Sequence, residues 1–347
     1  MTEFINYIES SLTTGLIFFL VFTAVILLAG TKLTSAADKL ADLTKVGEAL
    51  FGAIMLGAIT SISGLIASVT AAFEGHSHLA VSNAIGGIAA QTAFLAIADI
   101  FYTKANLEHA SASLQNIMLG MLLIGELTLI LVLMAAPAFT FWGINIGSVL
   151  IIIVFIFGTK FISKAKKAPM WKPAQTSETL EDIPHFKNLS DKAHLRIWIN
   201  FIILAAIVGL SGFLVAHAGI GIAKHSGISE SFVGAVFIAL STSMPELVVS
   251  IAAVRQGSLN LAVGNIVGGN TFEVLSVSFS DMAYRGGSIY HYISDSEFFV
   301  VSITLLMMSV MIFGLLYRQR YGPGRIGWES LTILLLFVFA YIVLGIM

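Results

Sequence analysis

The chain has no cysteine and very little charge. Without thiols it can form neither disulfides nor thiolate metal centres. Only 11 % of its 347 residues are Asp, Glu, Lys or Arg, less than half of the roughly 25 % carried by a soluble domain. Such a surface cannot be clothed in charge, so lipid must be its solvent. No Lys or Arg precedes Lys32, so the first apolar run lacks the basic lead of a cleaved signal peptide and reads as a retained first helix. Phosphate loops, dinucleotide fingerprints and nucleophile triads are also missing, which argues against nucleotide or nucleic-acid partners and against an enzyme. The formal net charge of −2 says little about partners.

What is present is apolar length. Hydrophobic residues make up 57 % of the chain and its mean hydropathy is +0.93. Runs such as 15–30, 143–158 and 326–347 are long enough to cross about 30 Å of hydrocarbon. The apolar runs predict an all-α integral membrane protein of about ten spans. They lie near 12–37, 47–73, 78–102, 113–137, 140–163, 194–222, 229–254, 260–283, 297–317 and 325–346. One polar stretch, 163–192, carries three prolines and many charges, and it divides the spans five and five. The expected division is a first five-helix repeat over 1–162, a cytoplasmic loop over 163–193 and a second repeat over 194–347, all in one membrane domain.

Residues 60–91 and 242–273 are two copies of one segment, 182 residues apart without a gap, with 12 of 32 positions identical. An internal repeat in an apolar chain points to a transporter built from two halves. The basic residues give an independent reading. If 163–193 is cytoplasmic, counting spans outward leaves only Lys224 and Arg285 outside, a strong positive-inside bias that places both termini outside. Five spans per half then force the halves to be inverted. The expected location is the plasma membrane of a prokaryotic cell.

The copies differ where polar chemistry concentrates. Thr242 and Glu246 share a helix face with Pro245 between them. The proline frees a carbonyl one turn earlier, near Ser241. Hydroxyls, a freed carbonyl and a carboxylate make a hard-oxygen cation site. Gly268-Gly269-Asn270 permits close helix approach, and Glu273 lies one turn beyond Gly269. Copy one has Gly64 and Gln91 where copy two has Glu246 and Glu273.

Thr242-Ser243-Met244-Pro245-Glu246, followed by Gly264-Asn265-Ile266-Val267-Gly268-Gly269-Asn270-Thr271-Phe272-Glu273, resembles the α-repeat of the sodium/calcium exchanger (calcium/cation antiporter) superfamily. The resemblance implies inverted repeats whose second, third, seventh and eighth helices enclose the ions, and alternating access exchanging sodium or protons against calcium. It implies that Thr242, Ser243, Glu246, Gly269, Asn270 and Glu273 line a cation site with Thr60, Ser61, Gly87 and Gln91. Repeat one departs from the pattern: Ser63-Gly64 replaces Pro-Glu, Ile88 replaces Asn, and Gln91 stands where Asn is usual. Glu273 stands where Asn or Asp is usual. The loss of one carboxylate leaves open a monovalent cation/proton antiporter, or an ion-binding membrane protein that does not transport. The expected partners are inorganic cations (calcium with sodium or protons) and the bilayer, with the chain acting as a monomer.

Several residues stand apart. Glu126, inside the fourth span, is a further candidate ligand. Asp99 and Asp281 are repeat mates and read as end anchors or gates. Asn83 and Asn265 suit helix packing and ion ligation equally. His76-Ser77-His78 reads as a solvated loop, with metal binding as the sharper alternative, and His217 as a core histidine.

Overall fold

A computed structural model describes residues 2–44, 57–167, 169–176, 179, 191–322 and 326–347. Its helices are α1 (Thr2–Ile8), α2 (Leu12–Thr44), α3 (Ile62–Phe73), α4 (Ser77–Asp99), α5 (Leu107–Ala110), α6 (Leu114–Ala135), α7 (Ile146–Lys167) and α8 (Asp191–Ser226). Then follow α9 (Glu230–Phe232), α10 (Ala239–Gln256), α11 (Leu259–Glu273), α12 (Leu275–Ala283), α13 (Asp295–Tyr317) and α14 (Trp328–Leu344). A π-helical turn, Val233–Ile238, joins α9 to α10. Seven helical stretches among the described residues are long and apolar enough to cross a membrane. Helix α14 and the pieces α3, α11 and α12 account for the remaining expected spans. The predicted span 47–73 is seen from Gly57 onward; its earlier residues lie outside the described ones.

Helix α4 is the centre. Of its apolar window 94 % is buried, against 17 % for α2 at the rim. It can be central because small residues let its neighbours approach closely. A Cβ on Gly86 would strike the backbone of Ala235, and one on Gly234 would lie 2.6 Å from the carbonyl oxygen of Leu79. Helix α2 crosses α10 in the same way: a Cβ on Gly30 would come 2.5 Å from Pro245 Cγ. That glycine makes room for the proline ring, and α10 runs through Pro245 without interruption.

The helix breaks lie elsewhere and are not symmetric. Repeat one interrupts its first helix at Ser61, between a helical stretch at 57–60 and α3. That is two residues before Ser63-Gly64, the pair that stands where repeat two has Pro245-Glu246. Repeat two interrupts its second helix at Val274, between α11 and α12.

Two carboxylates tie the repeats together. Asp99 accepts from the backbone N–H of Leu107 at 2.7 Å and of Gly327 at 2.9 Å. Asp281 accepts from the N–H of Ile289 at 2.8 Å and of Asn145 at 2.8 Å. Leu107 and Ile289 are 182 residues apart, and so are Asn145 and Gly327. Each aspartate therefore holds one short turn in its own repeat and one helix start in the other. Helix starts leave N–H groups without partners and attract negative charge, so a carboxylate is the natural lock. Both aspartates act as anchors.

One face of the molecule gathers α5, the end of α13 and part of the central segment. His109 contacts the carbonyl oxygen of Arg318 at 2.7 Å and Thr176 Oγ1 at 3.2 Å, and Arg318 Nη1 donates to the carbonyl of Ala174 at 2.7 Å. The opposite face holds the α3–α4 connection, the chain near Glu9 and the hairpin Thr140–Asn145. This hairpin turns through Trp142 and Gly143, both with positive φ, as a two-residue turn requires.

Candidate cation site

The breaks and close approaches bring the two copies of the repeat face to face. Glu246 lies on α10, buried beside Thr60. The Thr60 hydroxyl donates to the carbonyl of Gly57 at 2.9 Å, and neither Glu246 oxygen has a hydrogen-bond partner. A buried carboxyl so left is costly unless a proton or a cation completes it. The Thr242 hydroxyl is turned back to its own helix, donating to the carbonyl of Ile238 at 3.0 Å, while its carbonyl accepts from Ser63 Oγ at 3.3 Å.

Glu273 is the most informative side chain. Its Oε1 would lie 3.0 Å from a Cβ placed on Gly64, and a Cβ on Gly87 would collide with the same oxygen. Glu273 thus reaches across from repeat two into the space that Gly64 leaves empty in repeat one. Its other oxygen accepts from Gln91 Nε2 at 2.5 Å. Ser61 lies against it, and Glu246 is close enough for the two carboxyls to repel. Gln91 Nε2 also reaches Ser243 Oγ at 3.5 Å. A side chain at 64 or 87 would therefore force Glu273 to move.

Gly269 backs onto repeat one: a Cβ there would sit 3.2 Å from Gly57 Cα and 3.6 Å from Gln91 Oε1. Asn270 lies one step along, with Nδ2 3.2 Å from Thr92 Oγ1 and its Oδ1 unpartnered. Thr60, Ser61, Gly87, Gln91, Thr242, Ser243, Glu246, Gly269 and Glu273 thus converge, with Asn270 at the edge. Glu126 does not join them. It is buried in α6 with neither oxygen hydrogen-bonded, and among the described residues no ionisable group acts on it.

Other candidates resolve differently. Asn83 packs helices, donating to the carbonyl of Gly64 at 3.0 Å and to Ser68 Oγ at 2.8 Å. His76 contacts Glu230 at 2.6 Å and His78 contacts Glu297 at 3.1 Å, so the two imidazoles serve separate carboxylates instead of one metal. The hydrogen bond to Glu230 holds His76 above the ordinary histidine range. His217 is paired with Glu9 at 2.6 Å and packs edge-on to Phe213. Gly57, Thr92, Glu108, Glu297 and Glu329 carry no motif in the sequence; the last three stand out there only as carboxylates in or beside apolar runs.

The site is a set of hard oxygens: two facing carboxyls, hydroxyls and an amide, buried where helices break or cross. Such a set suits alkali and alkaline-earth cations. Known proteins agree. Residues 14–162 and 195–346 match the family described as sodium/calcium exchanger protein. The chain belongs to that family.

Like the family, it is a multi-pass membrane transporter and not an enzyme. It is similar to CaxA of Alkalimonas amylolytica, 26 % identical over 320 residues that cover 89 % of this chain and 94 % of that one. It also resembles the sodium/calcium exchanger MaX1 of Methanosarcina acetivorans, 26 % identical over 140 residues, 40 % of this chain and 37 % of the other. Two solved structures share its fold. A crystal structure of the H+/Ca2+ exchanger CAX superposes with a TM-score of 0.69 at 14 % identity, covering 96 % of this chain and 85 % of that one. The sodium-calcium exchanger NCX_Mj superposes with a TM-score of 0.62 at 18 % identity, covering 95 % and 98 %. The family member described here thus keeps the all-α fold of inverted repeats, with an atypical first repeat.

Proposed function

We propose that this chain is a secondary antiporter that exchanges calcium for sodium or protons by alternating access at the Glu246–Glu273 site. The observation that carries the reading is the position of Glu273, which fills the space at Gly64. A carboxylate lost from one repeat is supplied by the other, so two negative charges still face each other, as a divalent cation requires. Sodium ions or protons would neutralise the same pair on the return half-cycle.

A second reading has its own support. The Gln91 amide donates to Glu273, which occupies one oxygen and weakens its pull on a divalent ion. That favours a monovalent cation exchanged for protons. Flux into proteoliposomes separates the readings. Calcium uptake driven by an outward sodium gradient or an imposed proton gradient is the expected result. Sodium or potassium movement coupled to protons, with calcium inert, would favour the second reading. Ion binding with no flux under either gradient would mark a protein that does not transport.

The same proposal orients the chain: 1–162 and 194–347 as inverted halves, 163–193 in the cytoplasm, the termini outside. It is supported by the shared face of Ala174, Thr176, His109 and Arg318. Because the chain has no cysteine, single substitutions report orientation cleanly. In cells, a membrane-impermeant maleimide should label Phe139→Cys, on an exposed residue of the hairpin face. It should reach Met170→Cys, which is fully exposed, only after permeabilisation. The reverse pattern would invert the topology.

A further inference from the structure

The two aspartate locks are built alike but filled differently. At Asp281 no second carboxylate acts on the lock among the described residues; His291 is the charged neighbour. Ser148 Oγ lies 2.7 Å from Asp281 and 2.9 Å from Tyr290 Oη. At Asp99 the repeat mates are Ser330 for Ser148, Glu108 for Tyr290 and Glu329 for Gly147. Ser330 Oγ repeats the geometry, donating to Glu108 Oε1 at 2.9 Å. The architecture needs one carboxylate per lock, as the Asp281 side shows. The Asp99 side carries two more.

Those two are buried and incomplete. Glu108 is 3 % exposed and Glu329 is 0 % exposed. Glu108 Oε2 and both Glu329 oxygens have no hydrogen-bond partner. They meet at one point: a Cβ on Gly327 would lie 2.8 Å from Glu329 Oε2 and 3.0 Å from Glu108 Oε2. Among the described residues, the basic groups of this face have other partners. Arg318 Nη2 donates to the carbonyl of His109, Arg255 lies over the Phe101 ring, and Arg320 lies over Tyr321. Lys104 is exposed, and the His109 ring turns to the carbonyl of Arg318 and to Thr176. Among the described residues, the ionisable groups acting on Glu108 are Asp99 and Glu329.

We propose that Glu108 and Glu329 form a second, separate proton-binding site, one proton shared between two carboxyls at the Asp99 lock. Two carboxyls this close and this buried cannot both ionise without a cation between them. Among the described residues, no set of three acidic or histidine side chains is placed to hold a metal ion, Asp99, Glu108 and Glu329 included, and a proton is the ligand that fits a pair of carboxyls. Burial, then Asp99 and Glu329, push Glu108 up to about 8. The folded protein therefore binds more protons than the unfolded chain between the ordinary glutamate value and about 8. Stability of the lock is complete below that window and falls as pH rises through it. Loss of the proton sets charges against Asp99 and loosens its hold on Gly327, the start of α14. Proton concentration on this face would thus tune how firmly α14 is tied to the other repeat. The Glu246 site is not involved.

The test needs no transport. Infrared difference spectra of the full chain in lipid nanodiscs are recorded from about pH 4.3, the ordinary glutamate value, to about pH 10. A protonated-carboxyl band should disappear with a midpoint well above the ordinary glutamate value. One component of this band should be missing from both Glu108→Gln and Glu329→Gln, and that component should be kept in Glu126→Gln. Should the single variants fail to fold, the double variant Glu108→Tyr with Glu329→Gly rebuilds the Asp281 arrangement. In that variant, hydrogen exchange at the Leu107 and Gly327 amides should lose the pH-dependent acceleration expected in the native chain, once intrinsic exchange is subtracted. An undiminished band in both single variants, or equal pH dependence in the native and double-variant chains, would overturn the proposal.

Discussion

Glu246→Gln is expected to abolish ion-coupled flux while leaving the fold intact. The substitution keeps the shape and removes the charge. Neither Glu246 oxygen has a hydrogen-bond partner, so the fold loses no bond when the carboxyl becomes an amide. The nearby Thr60 hydroxyl, already committed to Gly57, can still accept from the new NH2. The ion loses much more. A unit charge about 4 Å away contributes about 4 kcal/mol at an effective dielectric of about 20, roughly a thousandfold in affinity. Flux in proteoliposomes should fall to background while the detergent-solubilised variant keeps its elution volume and thermal midpoint. Retained flux would remove Glu246 from the site, and an unfolded variant would show that the carboxyl holds the fold together.

The second large effect concerns Gly64. A glutamate there would match the second repeat, yet Gly64→Glu alone should damage the protein. The new Cβ would sit 3.0 Å from Glu273 Oε1 and 3.5 Å from Thr242 Oγ1, with a third carboxyl forced beside Glu273 and Glu246. Overpacking of this kind costs about 1–3 kcal/mol before any charge repulsion. Pairing it with Glu273→Asn empties the occupied space and returns the carboxyl count to two. Calcium-driven flux should be lost in the single variant and recovered in the pair. If the single variant transports calcium as well as the native chain, Glu273 does not occupy the position assigned to it.

The repeat, the spans and the pair Thr242 and Glu246 were legible because they rest on local spacing. The offset of 182 residues also marked Asp99 and Asp281 as mates. Their function was not legible, because what they hold are backbone N–H groups of Gly327 and Asn145, and a backbone donor leaves no trace in residue identity. The replacement of Glu at Gly64 was visible as a loss. That Glu273 fills it depends on a side chain crossing between helices 209 positions apart, which no local pattern encodes. The break at Ser61 and the π-helical turn before α10 were hidden for a similar reason. Close approach to α4 and α11 shapes those segments, and their own propensities do not announce it. The expected metal-binding alternative for His76 and His78 failed on direction, since the two rings turn to different carboxylates.

The exchanged locks also set an order of assembly. During synthesis Asn145 is in place long before Asp281 emerges, so the lock on the hairpin face can close as soon as the segment through Ile289 is inserted. Asp99 waits for Gly327, the cap of the last helix. A ribosome-bound chain can therefore close one clasp while the other stays open until Gly327 and the start of α14 have been made.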